Sequence, residues 1–353
     1  MKETQVELTP RLTEIPDVSA KALALYQDNL VWDNMLPWTL GRGEYKGNAH
    51  YIDELLPRFK RVGANVLSLT LAAGGNVGIK DTLKYLGKVR DEIASRSDWL
   101  TLATSVESIR DAKASDKLAV HFNFQNTPPL EDSLEMIQLY YDLGVRQIGL
   151  AYNLRTLVGD GCAEPSNAGL SRFGVEAIKE MNRVGMIVDG SHAGCRTTMH
   201  AMEVCEAPFV FSHSNPLAVC DHYRGISDEQ MKACVATGGM VGINGVGTFV
   251  GDDNAPTEAI FRCLDYTVEL IGAERVGLGL DYVHDNEGSI KALDKASLAW
   301  PAHKGKFAAK HNYASHEQVI ELVQMMLDHG YPDDAIVGIL GENWASLCET
   351  VWK

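Results

Sequence analysis

Short apolar runs that alternate with stretches of helical spacing constrain this chain more than any other feature. Eight such runs are present: Leu30 to Leu36, Asn65 to Leu71, Lys117 to Phe124, Gln147 to Tyr152, Met186 to Asp189, Phe209 to Phe211, Gly239 to Asn244 and Arg275 to Leu280. Runs of this length and composition read as buried parallel strands. The spacers read as helices. Glu131 to Leu143 and Gly174 to Val184 carry apolar residues at helical spacing, and Gly144 and Gly185 follow them where a C′ glycine is favoured. Ser227-Asp228-Glu229 has the form of a helix start, and Pro256 to Ile271, Ser315 to His329 and Pro332 to Glu349 supply further helices. Eight alternating β and α units predict an α/β chain folded as a (β/α)8 TIM-type barrel. An open doubly wound sheet is the competing arrangement.

The chain of 353 residues has no Gly-rich linker or low-complexity tract, so a single domain over 1–353 is expected, with residues 1–18 as an N-terminal extension. Val283 to Tyr313 reads as a loop inserted near the active-site mouth. A net charge of −15 argues against nucleic acid or an anionic membrane surface as a partner. The seven cysteines are odd in number and form no CxxC, which argues against a disulfide framework or a zinc knuckle. Met1 to Val18 lacks the basic-then-apolar profile of a secretory signal, and no apolar run reaches the ~18 residues of a membrane span. The expectation is a soluble, cytoplasmic protein.

In a parallel barrel the carboxyl ends of the strands face the active site. Here those ends carry Asp33, Gln125, Tyr152, His192, His213, Asn244 and Asp281, almost all chemically capable groups. His192 and His213 close two consecutive strands around the helix-like stretch Cys195 to Cys205. Two imidazoles so placed serve either as buried structural groups or as ligands sharing one metal ion, and their pairing favours the metal. A carboxylate at Asp281 suits metal ligation or proton transfer, and a guanidinium at Arg224 suits a substrate carboxylate. His222 and His284 lie nearby and are expected to be peripheral.

The segments Leu36-Pro37-Trp38, Leu143-Gly144-Val145-Arg146, Gly169-Leu170-Ser171-Arg172-Phe173-Gly174, Met181-Asn182-Arg183-Val184-Gly185, Asp189-Gly190-Ser191-His192, Phe211-Ser212-His213-Ser214 and Gly277-Leu278-Gly279-Leu280-Asp281 follow one another in a specific order. With them the chain resembles the renal or membrane dipeptidase family of amidohydrolase-like metallopeptidases over nearly its whole length. The resemblance implies a (β/α)8 hydrolase with two zinc ions that cleaves dipeptides, often with a D-residue at the carboxyl end, and that pairs as a homodimer. It assigns His192 and His213 to metal, Arg224 to the substrate carboxylate, and Asp281 to the substrate amine or a proton.

Three positions depart from the pattern that the resemblance implies. Its HxD pair falls on Asp33 and Met35, its bridging glutamate on Gln125, and a further histidine on Tyr152. A thioether is a poor zinc ligand beside hard oxygen donors, and a neutral amide bridges two cations badly. The expectation is therefore one zinc rather than two, held by His192 and His213 with Asp33 or Gln125 contributing, and Tyr152 donating to the developing oxyanion. The expected function is hydrolysis of the amide bond of a dipeptide or similar small carboxylated amide through a metal-activated water. Two alternatives remain: a diverged lyase, isomerase or decarboxylase, and a metal-free binding protein for a small carboxylate.

Overall fold

The computed structural model describes residues 14–37, 51–74, 77–284, 298–302 and 311–353. All named strands pair in parallel: β1 (Trp32–Pro37), β2 (Val66–Ala72), β3 (Leu100–Leu102), β4 (Leu118–Phe124), β5 (Val145–Gly149), β6 (Ile187–Asp189), β7 (Phe209–Phe211), β8 (Met240–Ile243) and β9 (Val276–Leu278). Because β2 pairs directly with β4 and β1 pairs with both β2 and β9, eight strands close into a ring. That ring is the TIM-type barrel of the α/β class, and the open doubly wound sheet is ruled out. Each of the eight apolar runs supplies one ring strand. The ninth strand, β3, pairs only with the first residues of β4. Two of its three residues, Thr101 and Leu102, are only partly buried, so it leaves no fully apolar run.

The strands are buried along their length, yet their faces differ. Successive side chains point to opposite faces of a strand. On β2, Leu67 and Leu69 alternate with Ser68 and Thr70; on β4, Phe122 and Phe124 alternate with His121 and Asn123. The polar set forms a hydrogen-bonded ladder: Asn123 Nδ2 donates to Ser68 Oγ (2.8 Å) and Thr70 Oγ1 donates to Asn123 Oδ1 (2.9 Å). A second chain runs from Asn34 through Gln147 to the Asp189 carboxylate. Buried polar groups are tolerated only when bonded in this way. At the amino ends of the strands Trp32, Val66, Ala119, Ile187, Val210 and Met240 pack with Trp344 and seal that end with apolar surface.

Helices 172–184, 228–236 and 316–328 begin at Ser171, Ser227 and Ser315, whose side chains cap them. The C-terminal stretch read as one helix is two, 333–337 and 343–351, joined by a π-helical turn over Gly338–Glu342. Gly341 lies against the Leu30 carbonyl oxygen, only 2.5 Å from where a Cβ would sit, so the chain must bend there without a side chain. Among the described residues no helix is long and apolar enough to cross a membrane. Of the insertion expected over Val283 to Tyr313, residues 285–297 and 303–310 lie outside the described residues, as do residues 1–13 of the N-terminal extension.

Candidate active site

His192 and His213 follow β6 and β7, as the barrel reading requires, and both rings are buried. Their Nε2 atoms are 2.9 Å apart. The outer nitrogens explain why. His192 Nδ1 lies 2.7 Å from Asn153 Oδ1. Asn153 Nδ2 donates to the Ala299 carbonyl (2.8 Å), which fixes the amide so that its oxygen faces the imidazole. His192 Nδ1 therefore carries the proton. His213 Nδ1 lies 2.7 Å from Ser212 Oγ, which itself donates to Asp189 Oδ2. Asp189 receives two backbone N–H groups, the Gln147 amide and that hydroxyl, four donors in all, so it acts as an acceptor even though burial pushes its carboxyl up. Ser212 is left to accept from His213 Nδ1–H. Both Nε2 lone pairs then face one another, which is repulsive unless a cation or proton lies between them. Burial, reinforced by the Arg224 charge, holds both imidazoles well below their usual range and therefore neutral.

Neutral imidazoles with converging lone pairs and outer N–H groups tied to the protein are the donor set of a metal site. Two nitrogens 2.9 Å apart can both reach one ion at zinc–nitrogen distances of roughly 2.0–2.1 Å. These two residues fit one ion. The first-strand half does not fit a second. Gln125 Nε2 donates to Met35 sulfur (3.0 Å) and to Thr70 Oγ1 (3.1 Å), while Thr70 gives its one hydroxyl proton to Asn123 Oδ1, so thioether, amide and hydroxyl form a neutral network. Asp33 Oδ1 accepts the backbone N–H groups of Leu280 and Met35, and its Oδ2 lies 3.3 Å from His316 Nε2 without hydrogen-bond alignment. Asp33 Oδ1 and the Gln125 amide are thus engaged within the protein, while Asp33 Oδ2 keeps no hydrogen-bond partner. Among the described residues no group of three or more His, Cys, Asp or Glu side chains is arranged to hold a metal.

The remaining strand-end groups surround the imidazoles. Tyr152 stacks on His192 with ring centres 4.1 Å apart. Burial and the Asp281 carboxylate raise its phenol, which keeps the O–H as a donor. Arg224 is buried, donates from one terminal nitrogen to the His213 carbonyl (3.2 Å), lies over the Phe249 ring and keeps an Nε without a protein acceptor. His213, His222, Arg224 and Asn244 line a crevice beside it that is too tight for a water molecule. Asp281 accepts from Asn244 Nδ2 (3.2 Å), and burial pushes its carboxyl up to about 7 against the opposing pull of Arg224. Trp300, from the insertion, packs edge-on to Tyr152 and His192 and parallel to Phe249.

Three of these residues, Asn153, His192 and Asp281, have positive φ (58°, 69° and 58°). Such backbone is uncommon for non-glycine residues and clusters where function demands it. An added Cβ at Gly242 or Gly279 would lie 2.1 or 2.0 Å from the Ser212 carbonyl oxygen, so the approach of both segments to Ser212 and His213 requires glycine. Sequence reasoning missed Asn153, Ser212, Asp189 and Trp300. Ser212 and Asp189 had a signal, since each adjoins or ends a strand that leads to a histidine. Trp300 had none, because nothing local marks which residue of a long insertion folds back.

Comparison with known proteins agrees with this architecture. Residues 34–298 match the family model described as membrane dipeptidase, peptidase family M19. Dipeptidase aclJ of Aspergillus oryzae is 28% identical over 332 residues, covering 85% of this chain and 71% of that protein. An uncharacterized dipeptidase of Schizosaccharomyces pombe is 30% identical over 212 residues, 58% of this chain; the match spans about half (51%) of the yeast protein. Among solved structures, an amidohydrolase from Pseudomonas aeruginosa superposes with a TM-score of 0.81 at 25% identity, covering 94% of this chain and 99% of that one. A metallopeptidase from Rhodobacter sphaeroides, liganded with a phosphinate mimic of L-Ala-D-Ala, shares the fold with a TM-score of 0.76 at 20% identity, covering 92% and 99%. The chain belongs to the membrane dipeptidase family, peptidase family M19.

Proposed function

We propose that this chain is a metal-dependent hydrolase that cleaves the amide bond of a dipeptide or similar small carboxylated amide, with one metal ion, zinc by the preference of its donors, held by His192 and His213. The observation that carries the reading is the pair of Nε2 atoms 2.9 Å apart, both freed as acceptors by Asn153 and Ser212. An ion bound there supplies a Lewis acid and an acidified water. The protein supplies the rest. Arg224 offers its unpaired Nε–H to the substrate carboxylate, a charge-assisted bond in a buried setting. That anchor places the scissile carbonyl over the histidine pair, and the neutral Tyr152 O–H donates to the carbonyl oxygen as negative charge builds on it. Asp281, at about 7, accepts a proton at a carboxylate oxygen and returns it to the leaving amine nitrogen. Trp300, Phe249 and the Tyr152 ring exclude bulk water.

A second reading, a barrel enzyme that has left amide hydrolysis, is favoured by one observation, the neutral Met35–Thr70–Gln125 network in place of a second metal. A panel of dipeptides with L- and D-residues at the carboxyl end separates the two. The hydrolase reading expects turnover that a chelator abolishes, zinc restores and His192→Ala eliminates. No turnover of any amide by zinc-loaded protein would reject it.

A further inference from the structure

A cavity of about 700 Å³ opens at the barrel mouth beyond the carboxyl ends of β4 and β5. Volumes of roughly 300–1,000 Å³ hold drug-sized ligands, which exceeds what a pair of small amino acids needs. Its wall includes Tyr152, so it begins where the histidine pair ends. The contacts run in one order: Arg224 touches the His213 carbonyl, His213 faces His192, His192 stacks on Tyr152, and Tyr152 borders the cavity.

The lining selects the occupant. Four of its polar side chains already have protein partners. The Thr127 and Thr156 hydroxyls donate to the Leu150 carbonyl (3.0 and 3.1 Å), Glu131 Oε1 accepts from Ile79 N–H (3.1 Å), and Arg155 Nε donates to Asp160 (2.6 Å). Pro128, Leu154, Leu157, Phe173 and Ala299 supply apolar surface. Leu157, on this wall, is 58% exposed, and Leu298, next to Ala299, is 85% exposed. Among the described residues four large apolar side chains are exposed, and one of them, Leu157, lies on this wall. Exposed apolar surface beside a site marks a binding surface.

We propose that the substrate is an amide whose carboxyl side is a small amino acid held at Arg224, and whose acyl side carries a large apolar group, aliphatic or aromatic, seated in this cavity. The proposal rests on the hydrolase reading for its chemistry and on the cavity for its selectivity. The test is a series of N-acyl-alanines from acetyl to octanoyl, read two ways on zinc-loaded protein. One readout is kcat/KM. The other is displacement of the neutral fluorophore N-phenyl-1-naphthylamine, which needs no turnover. Burying a methylene is worth about fourfold, so kcat/KM and displacing affinity should each rise at least tenfold along the series. In Leu157→Asp and Phe173→Ala that rise should shrink severalfold; Leu157 is exposed, so the first change leaves the core intact. Values flat with chain length, or a rise unchanged in both variants, would overturn the proposal. Displacement that follows chain length without hydrolysis of any member would reject the hydrolase reading and leave the cavity assignment standing.

Discussion

Replacing Asp281 with asparagine should stabilise the metal-free protein at alkaline pH while removing its activity. The backbone permits the change, because asparagine tolerates the positive φ of 58° at this position and can still accept the Asn244 amide. The sign follows from linkage. The carboxyl sits at about 7 in the fold and at 3.8 in a model environment. Below 3.8 both states are protonated and the residue costs nothing. Between 3.8 and about 7 the unfolded chain releases its proton while the fold keeps it, so stability falls as pH rises. Above about 7 the whole penalty is present. At 1.36 kcal/mol per pH unit the ceiling is about 4 kcal/mol, and the side chain's residual solvent contact reduces this to about 2 kcal/mol. Equilibrium urea unfolding of chelator-treated wild type and Asp281→Asn, from pH 5 to pH 9, measures it. The variant's advantage should grow by about 1–2 kcal/mol between pH 5 and pH 8 and then level off. An advantage independent of pH, or a variant less stable at pH 8, would refute the idea that burial dominates this carboxyl.

Other residues make separate claims. Arg224→Lys keeps the charge but loses the planar fork, and kcat/KM for carboxylated substrates should fall roughly 10- to 100-fold, with esters of the same substrates hardly affected. Gly279→Ala forces a Cβ against the Ser212 carbonyl and should destabilise the fold by about 1–3 kcal/mol, with weakened zinc binding measured by chelator competition. Asn153→Ala frees the His192 Nδ1 proton from its acceptor and should lower zinc affinity about 10- to 100-fold; because alanine is strained at the positive φ and two buried bonds are lost, the urea midpoint should fall as well, by about 1–3 kcal/mol of stability.

The barrel was legible because its strands are buried on both faces, which leaves largely apolar runs between helical spacers even where Ser68, Thr70, His121 and Asn123 interrupt them. Strand β3 was not, since Thr101 and Leu102 are only partly buried and Leu100–Leu102 makes no fully apolar run. The histidine pair was legible for a geometric reason: consecutive parallel strands must present their carboxyl ends to one mouth. What fixes the pair was not. Asn153 acts through a left-handed backbone and an amide held by Ala299, a residue 146 positions away. Met35 and Gln125 were visible as departures, but their mutual hydrogen bonding, which makes them a closed neutral unit, depends on Thr70 from a different strand.

Anomalous diffraction at the zinc edge on crystals of zinc-loaded protein tests the central claim most directly. A single peak is expected within bonding distance of Nε2 of both His192 and His213, and none beside Met35. Two peaks spanning Met35 and Gln125, or one ion bound away from both imidazoles, would contradict it.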